Sequence, residues 1–365
     1  MTAKENKEVE NKIKVVANNI YQAVKKKKPP VMTTPVRSLS NVEFDKKEGY
    51  FKIQNKVKER SLTATTIKTF AQTLRMMALS KELLQSDDSA TKREAYYVSK
   101  NWGDARFSEQ PESDSVMDDI EAMLHVNREK MGFVPGDHGG AVAGALTVID
   151  VDFETKKELK IDCTKFGSGA YSIPSSVEHL KFETKAKFVL AIETQGAFER
   201  LNKHKYWQKA NCILVAMSGV PTRACRRFIR KLSDEQKLPV YVFTDGDPYG
   251  YGNIYRTLKV GSGNAAHINE FFCVPKATFI GVTPQDIEDY KLPTHPLKEI
   301  DLKKIKDMLK NDPFFKDHKE WQKALQKMAK EKIRVEQQAF AAHGLNMVMD
   351  KYLPEKIANK KTWLP

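Results

Sequence analysis

Residues 8–24, EVENKIKVVANNIYQAV, place Val9, Ile13, Val16, Ile20 and Val24 at the spacing that gathers one face of an α-helix. The run KKKKPPVMTTP ends it, because two prolines cannot continue a helix. A helix set off by such a linker cannot bury its stripe alone. It is expected to dock on a partner chain or another domain, the alternative being a helix folded back on its own domain. Residues 40–60 alternate Val42 and Phe44 with polar neighbours, turn at DKKEG and resume at Tyr50, Phe51 and Ile53, which predicts a hairpin. Next, Ile67, Phe70, Ala71, Leu74, Met77 and Ala78 fall on one helical face. A short helix follows at about 91–100, and a third carries Val116, Ile120, Met123 and Leu124 and closes on Gly132. After it the glycine-rich FVPGDHGGAVAGALTVIDVDF separates β-prone runs.

Helices followed by a β-hairpin are the element order of a winged helix, a helix-turn-helix variant that reads duplex DNA. Small trihelical domains also serve as protein adaptors, so this pattern suggests DNA without requiring it. From about 185 the texture changes. KFVLAIE (187–193), CILVAM (212–217), PVYVFTDGD (239–247) and ATFIGV (277–282) alternate with helical stretches near 196–206 and 222–232. That alternation predicts a parallel sheet with helices on both faces. The tail beyond 291 reads as helical, with one long helix ending at Gly344.

Composition adds the partner. The chain has 365 residues, 41% hydrophobic and 30% charged, which fits a globular protein of two or three domains. No apolar run is long enough to span a membrane, and MTAKENKEVENK has no signal-peptide core, so a cytoplasmic location is expected. Cys163, Cys212, Cys225 and Cys273 are scattered without a CxxC pair, which argues against structural zinc and disulfides. The net charge of +14 favours a polyanion such as nucleic acid.

In a doubly wound sheet, sites form beyond the carboxyl ends of strands. Two of those ends here are acidic, one at Glu193 and one at TDGDP with Asp245 and Asp247. Residues i and i+2 of an extended chain point to the same side. Neighbouring carboxylates repel one another unless a cation lies between them, and an all-oxygen set suits Mg²⁺. A lone DxD is more often a turn that caps the next helix; the glutamate ending a second strand shifts the balance towards metal. SGVPTRACRRFIRK follows another strand and sets Arg223, Arg226 and Arg230 on one helical face beside Arg227, a pattern that suits a phosphate backbone or a solvated surface.

Several of these segments carry a resemblance. KFVLAIETQGAFERL, SGVPTRACRRFIRKL, VYVFTDGDPYGYGNIYRTLK and TFIGVTPQDI resemble the Toprim domain of the A subunit of archaeal DNA topoisomerase VI. TKREAYY resembles the active-tyrosine motif of that family, which the meiotic double-strand-break proteins share, and GGAVAG and the tail also look similar. The likeness runs from about residue 40 to the end. It departs at ETQGAF, where the family usually places an acidic residue after its metal glutamate.

The resemblance implies the DNA-cleaving part of a type IIB topoisomerase. Its expected fold is α/β and multidomain, with a winged-helix (CAP-like) domain over 61–150, a connecting segment over 151–184, and a Toprim domain with a helical extension over 185–365. Residues 1–60 are expected to make partner or dimer contacts. The family's chemistry is attack of a tyrosine on DNA, leaving a 5′-phosphotyrosyl link on each strand and a free 3′-hydroxyl. The last tyrosine of the motif maps to Tyr97. On a helix Arg93 is spaced to reach either Tyr96 or Tyr97, so spacing alone does not choose between them. The implied metal set is Glu193, Asp245 and Asp247 with Mg²⁺. Lys92, Arg223, Arg226, Arg227 and Arg230 are the expected DNA contacts. The resemblance implies as partners duplex DNA, a second copy, and a GHKL-type ATPase B subunit in an A₂B₂ heterotetramer; with no GxxxxGK[ST] fingerprint here, little activity is expected of this chain alone. Within the family the tyrosine of one protomer meets the metal site of the other. The competing readings are a meiotic-type break protein, a Toprim nuclease without a tyrosine step, and a non-enzymatic winged-helix regulator.

Overall fold

The computed structural model describes residues 3–136, 139–152 and 154–365, with side chains from residue 5 onward. Asp137, His138 and Phe153, in the glycine-rich stretch and just after it, lie outside the described residues. The first helix, α1 (Ala3–Lys25), does not reach away from its own chain. Val9 and Ile13 are buried with Met76, Met77, Leu84 and Val116, and Ile20 packs with Met32 and Phe70. The expected docking of this stripe on a partner is therefore corrected: α1 folds back on its own domain, where burying those side chains satisfies the hydrophobic drive that isolation left open. Val24, the last position of the stripe, stays exposed.

Three further helices complete this unit: α2 (Ile67–Ser86), α3 (Lys92–Val98) and α4 (Gln110–Leu124). α3 starts with a reciprocal cap, in which the Thr91 hydroxyl accepts from the Glu94 N–H and the Glu94 carboxylate accepts from the Thr91 N–H at 2.7 Å. α4 ends earlier than the sequence predicts, at His125 in the left-handed region, and a 3₁₀ turn over Arg128–Met131 carries the chain to Gly132. The expected wing after α4 is not formed. Phe133–Val134 pairs with Ala90–Thr91, Ala141–Gly144 leaves for the large sheet, and Leu146–Val151 pairs with Glu158–Asp162 and Lys181–Thr184. A ribbon instead comes from upstream, where Val31–Pro35 pairs antiparallel with Val57–Ser61 and lies against α4.

The second unit is built on a sheet in the order Tyr171–Ser172, Ala141–Gly144, Cys212–Ala216, Phe188–Ile192, Val240–Phe243, Ala277–Phe279. The last four strands are parallel, and the first two add an antiparallel edge. Every residue of Phe188–Ile192 and Cys212–Ala216 is buried, as expected for strands covered on both faces. Alternation divides them. Val189, Ala191, Ile213 and Val215 pack on one side, while Phe188, Leu190, Ile192 and Leu214 pack on the other. The predicted hairpin, Val42–Asp45 with Tyr50–Ile53, seals this core rather than the helical unit: Tyr50 and Phe51 join it, and Asn269 Nδ2 donates to the Phe51 carbonyl at 2.9 Å. No helix among the described residues is long and apolar enough to cross a membrane.

Buried charges join the two units. Glu121 of α4 is fully buried, and its carboxylate accepts from Arg128 Nη2 and Arg223 Nη2, both at 2.6 Å. Arg223 also reaches Glu129 at 2.7 and 2.8 Å, and Arg227 reaches Glu178 at 2.8 and 2.9 Å. Burial alone would raise the Glu121 carboxyl, but Arg223 and Arg128 hold it well below the usual range. Removing one partner of such a group leaves the others buried and unpaired. Glu121→Ala is therefore expected to lower stability by about 3–5 kcal/mol, read as an earlier urea or thermal transition.

Candidate active and metal site

The tyrosine pair sits on α3, and the structure separates its members. Tyr96 is half-buried against the helical core; its hydroxyl donates to the Ser108 carbonyl at 3.2 Å and the Lys100 ammonium lies 4.1 Å from its ring centre. Tyr97 is 56% exposed, and its hydroxyl has no hydrogen-bond partner among the described residues. Its ring meets Tyr96 edge-on at 5.3 Å, and the Arg93 guanidinium lies 6.0 Å from its centre. Arg93 has no carboxylate partner among the described residues, whereas Lys92 is held by Asp114 at 2.6 Å. The exposed phenol and the unpaired guanidinium thus share one surface.

The acidic residues converge at the carboxyl ends of two adjacent parallel strands. Glu193 follows Phe188–Ile192; its Oε2 accepts from the Asp245 N–H at 2.8 Å, which ties the two strand ends together. Asp245 Oδ1 accepts from the Gln337 N–H at 2.8 Å. Asp247 Oδ1 accepts from the Gly250 N–H at 2.6 Å, and its Oδ2 lies 3.8 Å from Arg334 Nη1. Asp247 therefore does cap the next helical turn. Glu193 Oε1 and Asp245 Oδ2 remain free of hydrogen bonds among the described residues.

Glycines make this convergence sterically feasible. A Cβ on Gly250 would lie 2.6 Å from the Asp245 carbonyl oxygen and 3.3 Å from Glu193 Oε2. On Gly246 it would lie 2.5 Å from Val335 Cγ1 and 2.7 Å from the Val282 carbonyl oxygen. The electrostatics ask for a cation. Burial, then the charge of Asp245, pushes the Glu193 carboxyl up to about 8, and burial pushes Asp245 up to about 6. Asp247 is also raised by burial, against the N–H groups of Gly250 and Tyr249 and then the charge of Arg334, which lower it. Buried hard oxygens that resist ionisation, with two oxygens free, fit a small divalent cation.

Elsewhere among the described residues, Asp118, Glu121 and His267 bring ligating atoms within 4.8 Å of one another. Two guanidiniums already neutralise that group, through Arg128 and Arg223, so it does not suit a cation.

The arginine helix, Arg223–Glu235, corrects another expectation. Arg223 and Arg227 are bound to the glutamates named above. Arg226 is buried beside the Phe272 ring, with its guanidinium 5.6 Å from the ring centre. Arg230 pairs with Asp234 and the Cys273 carbonyl. These side chains join units rather than line a phosphate track, because buried carboxylates from α4 and the 178 loop face that helix.

One contributor belongs to no motif in the sequence. Gln337 holds Asp245 through its N–H, donates its amide to the Phe243 carbonyl at 2.9 Å and accepts from Thr194 Oγ1 at 2.8 Å. The predicted long tail helix ends at Glu331, and Ile333–Arg334, Val335 and Gln337 turn back against the acidic loop. Lys332 makes the turn at φ +57°, stopping the helix without a glycine or proline to mark it.

Comparison with known proteins covers all of these parts. Residues 188–357 match the Toprim-domain family of the topoisomerase 6 A subunit and Spo11, residues 68–133 match "Type IIB DNA topoisomerase", and residues 137–186 match "All-beta domain in DNA topoisomerase VI alpha subunit". Three relatives are named as the A subunit of type 2 DNA topoisomerase 6. That of Methanocaldococcus jannaschii is 56% identical over 97% of this chain and 95% of its own length. That of Pyrococcus abyssi is 38% identical over 96% of this chain and 94% of its own, and that of Methanothermobacter thermautotrophicus is 35% identical over 95% and 96%.

Proposed function

This chain belongs to the family of type 2 DNA topoisomerase 6 A subunits, and from that premise we propose that Tyr97 is its nucleophile and that Glu193, Asp245 and Asp247 are its metal set. It is the DNA-cleaving subunit of a type IIB topoisomerase, an enzyme in which ATP hydrolysis belongs to a partner B subunit. The observation that carries the assignment of Tyr97 is the contrast within the pair. One hydroxyl is spent on the Ser108 carbonyl, while the other is exposed beside an unpaired guanidinium.

The reaction is a transesterification. The Tyr97 oxygen attacks a backbone phosphorus, the bond to the 3′-oxygen breaks, and that oxygen takes up a proton to become a 3′-hydroxyl. Phenols ordinarily ionise near ~10, so attack at neutral pH gains from a cation close to the developing phenolate and the phosphate. Arg93 supplies that charge from the preceding turn of α3. Mg²⁺, held through Glu193 and Asp245 with Asp247 beside them, would stabilise charge on the phosphate and the leaving 3′-oxygen. Thr194, Gln337 and Gly250 keep the carboxylates in place. Resealing is the reverse attack by the 3′-hydroxyl, which needs no external energy.

The family resemblance supports a dimer in which each tyrosine serves the partner's carboxylates, with two ATPase subunits completing an A₂B₂ assembly. The α2–α4 unit and its upstream ribbon form the winged-helix-like DNA-binding part, presenting Arg93 and Tyr97 to the duplex. Incubation with supercoiled plasmid, Mg²⁺, ATP and the ATPase partner, quenched in detergent, is expected to yield DNA 5′ ends linked to Tyr97. An adduct on Tyr96 would reassign the nucleophile, and linear DNA free of protein would favour a nuclease.

A further inference from the structure

The turn after the acidic DGD stretch is wound in a form that is rare in proteins and frequent at functional sites, a π-helix over Gly250–Tyr255. Tyr249, the residue before it, is 45% exposed, and its N–H donates to Asp247. Lys304 reaches this turn from the outer helix Glu299–Asn311. Its ammonium donates to Asn253 Oδ1 and lies 5.1 Å from the centre of the Tyr249 ring. Gly252 lets it pass, since a Cβ there would stand 3.2 Å from Lys304 Cε. The other charges nearby are already engaged: Arg334 faces Asp247 at 3.8 Å, Asp301 accepts from the Lys298 N–H at 2.9 Å, and Glu336 acts on Asp245. Burial lowers the Lys304 ammonium and the charges of Asp247 and Asp301 raise it, yet it pairs with no carboxylate among the described residues.

Resting on the reading above, in which the leaving 3′-oxygen forms beside these carboxylates, we propose that Lys304 and Tyr249 hold the DNA strand that ends in the 3′-hydroxyl. Lys304 takes the last internucleotide phosphate of that strand, and Tyr249 packs on its last nucleoside. Cleavage gives the two new ends different fates. The 5′ end is kept by its ester to Tyr97, whereas the 3′ end is kept only by base pairing and by the protein. Resealing needs that hydroxyl back at the same phosphorus. Its holder must adjoin the acidic strand ends and offer both a cation and a flat apolar face, and Lys304 over Tyr249 is that combination. An ammonium bound to one neutral amide oxygen keeps two N–H donors for a phosphate. The arginines of Arg223–Glu235 differ, because Arg223 and Arg227 would first have to abandon buried carboxylates.

The test uses the full enzyme with its ATPase partner and a duplex whose nick lets the short 3′-hydroxyl strand leave once the tyrosyl ester has formed. Adding that strand back and following resealing gives a half-saturating strand concentration and a maximal rate. Lys304→Gln is expected to raise the half-saturating concentration at least about tenfold while changing the maximal rate less than about threefold. Lys304→Arg, which keeps the charge, should restore it, and Tyr249→Ala should raise it at least about fivefold. A strand whose last internucleotide phosphate is an uncharged methylphosphonate should bind wild type as weakly as the ordinary strand binds Lys304→Gln. It should bind Lys304→Gln no more weakly still. An unchanged half-saturating concentration in Lys304→Gln would overturn the proposal, as would losses from the variant and the methylphosphonate that multiply. A fall confined to the maximal rate would overturn it too, since Lys304 would then act on the chemistry and not on the strand. All three outcomes leave the Tyr97 ester standing; absence of that ester in wild type would bring down the function proposed above and this inference with it.

Discussion

Tyr97→Phe is expected to abolish DNA cleavage by the assembled enzyme, a loss of at least about 10⁴-fold, because phenylalanine has no oxygen to form the ester. The fold should not notice the change. The Tyr97 hydroxyl makes no hydrogen bond among the described residues and its side chain is more than half exposed, so circular dichroism and melting temperature should match wild type. Tyr96→Phe should do the opposite. It removes the bond to the Ser108 carbonyl and costs about 1 kcal/mol of stability, yet leaves cleavage within about threefold. The measurement is the fraction of plasmid trapped as protein-linked linear DNA after detergent quench. Equal loss in the two variants would mean that the pair works as a unit, and residual covalent adduct in Tyr97→Phe would move the nucleophile elsewhere. Arg93→Ala, which keeps the phenol and removes its nearest cation, should fall between them and respond to rising pH.

The contrast between these neighbours shows which features were legible in the sequence. Periodicity located α2, the hairpin and the four parallel strands to within a few residues, because each has a strongly buried face. It also located the acidic strand ends, since Glu193 and the DGD stretch follow directly on apolar runs. What failed was assignment of partners. The stripe of α1 reads the same whether it packs on α2 and α4 or on another chain, and only the fold decides. The arginines of Arg223–Glu235 show the same limit. Their one-sided spacing was real, but the face they share meets Glu121, Glu129 and Glu178, acids that lie 49 to 102 residues away in sequence. Charge patterns identify an electrostatic surface without saying whether its counter-charge is DNA or the protein itself. The strands after α4 were read as a wing because local order cannot reveal that Ala141–Gly144 joins a sheet by pairing with Tyr171–Ser172 and Cys212–Ala216, far downstream.

Glu193→Gln is expected to be as damaging as Tyr97→Phe, for a different reason and with a signature that needs no DNA. Glutamine keeps the shape and can still accept from the Asp245 N–H, so the strand ends stay tied, but one anionic ligand is gone. Cleavage should fall by at least about 10³-fold, while salt-sensitive DNA binding, proposed above to rest on the helical unit, stays within a few-fold. The metal-free protein offers the cleaner test. The Glu193 carboxyl is raised from an ordinary 4.5 to about 8, so its acid form suits the fold and its anion is penalised. For a raised carboxyl the stabilising contribution is complete below about 4.5 and drains away as pH climbs through about 8, with Asp245 adding to the loss nearer 6. In EDTA the melting temperature should therefore drop across that window. Mg²⁺ should restore it, with the restoring shift growing towards pH 8 because bound metal requires the ionised carboxylates. Glu193→Gln removes the titrating group, so its melting temperature should vary less with pH and gain little from Mg²⁺. A wild-type melting temperature that is flat with pH and indifferent to Mg²⁺ would mean that these carboxylates are already satisfied within the fold, and the metal reading would have to be withdrawn.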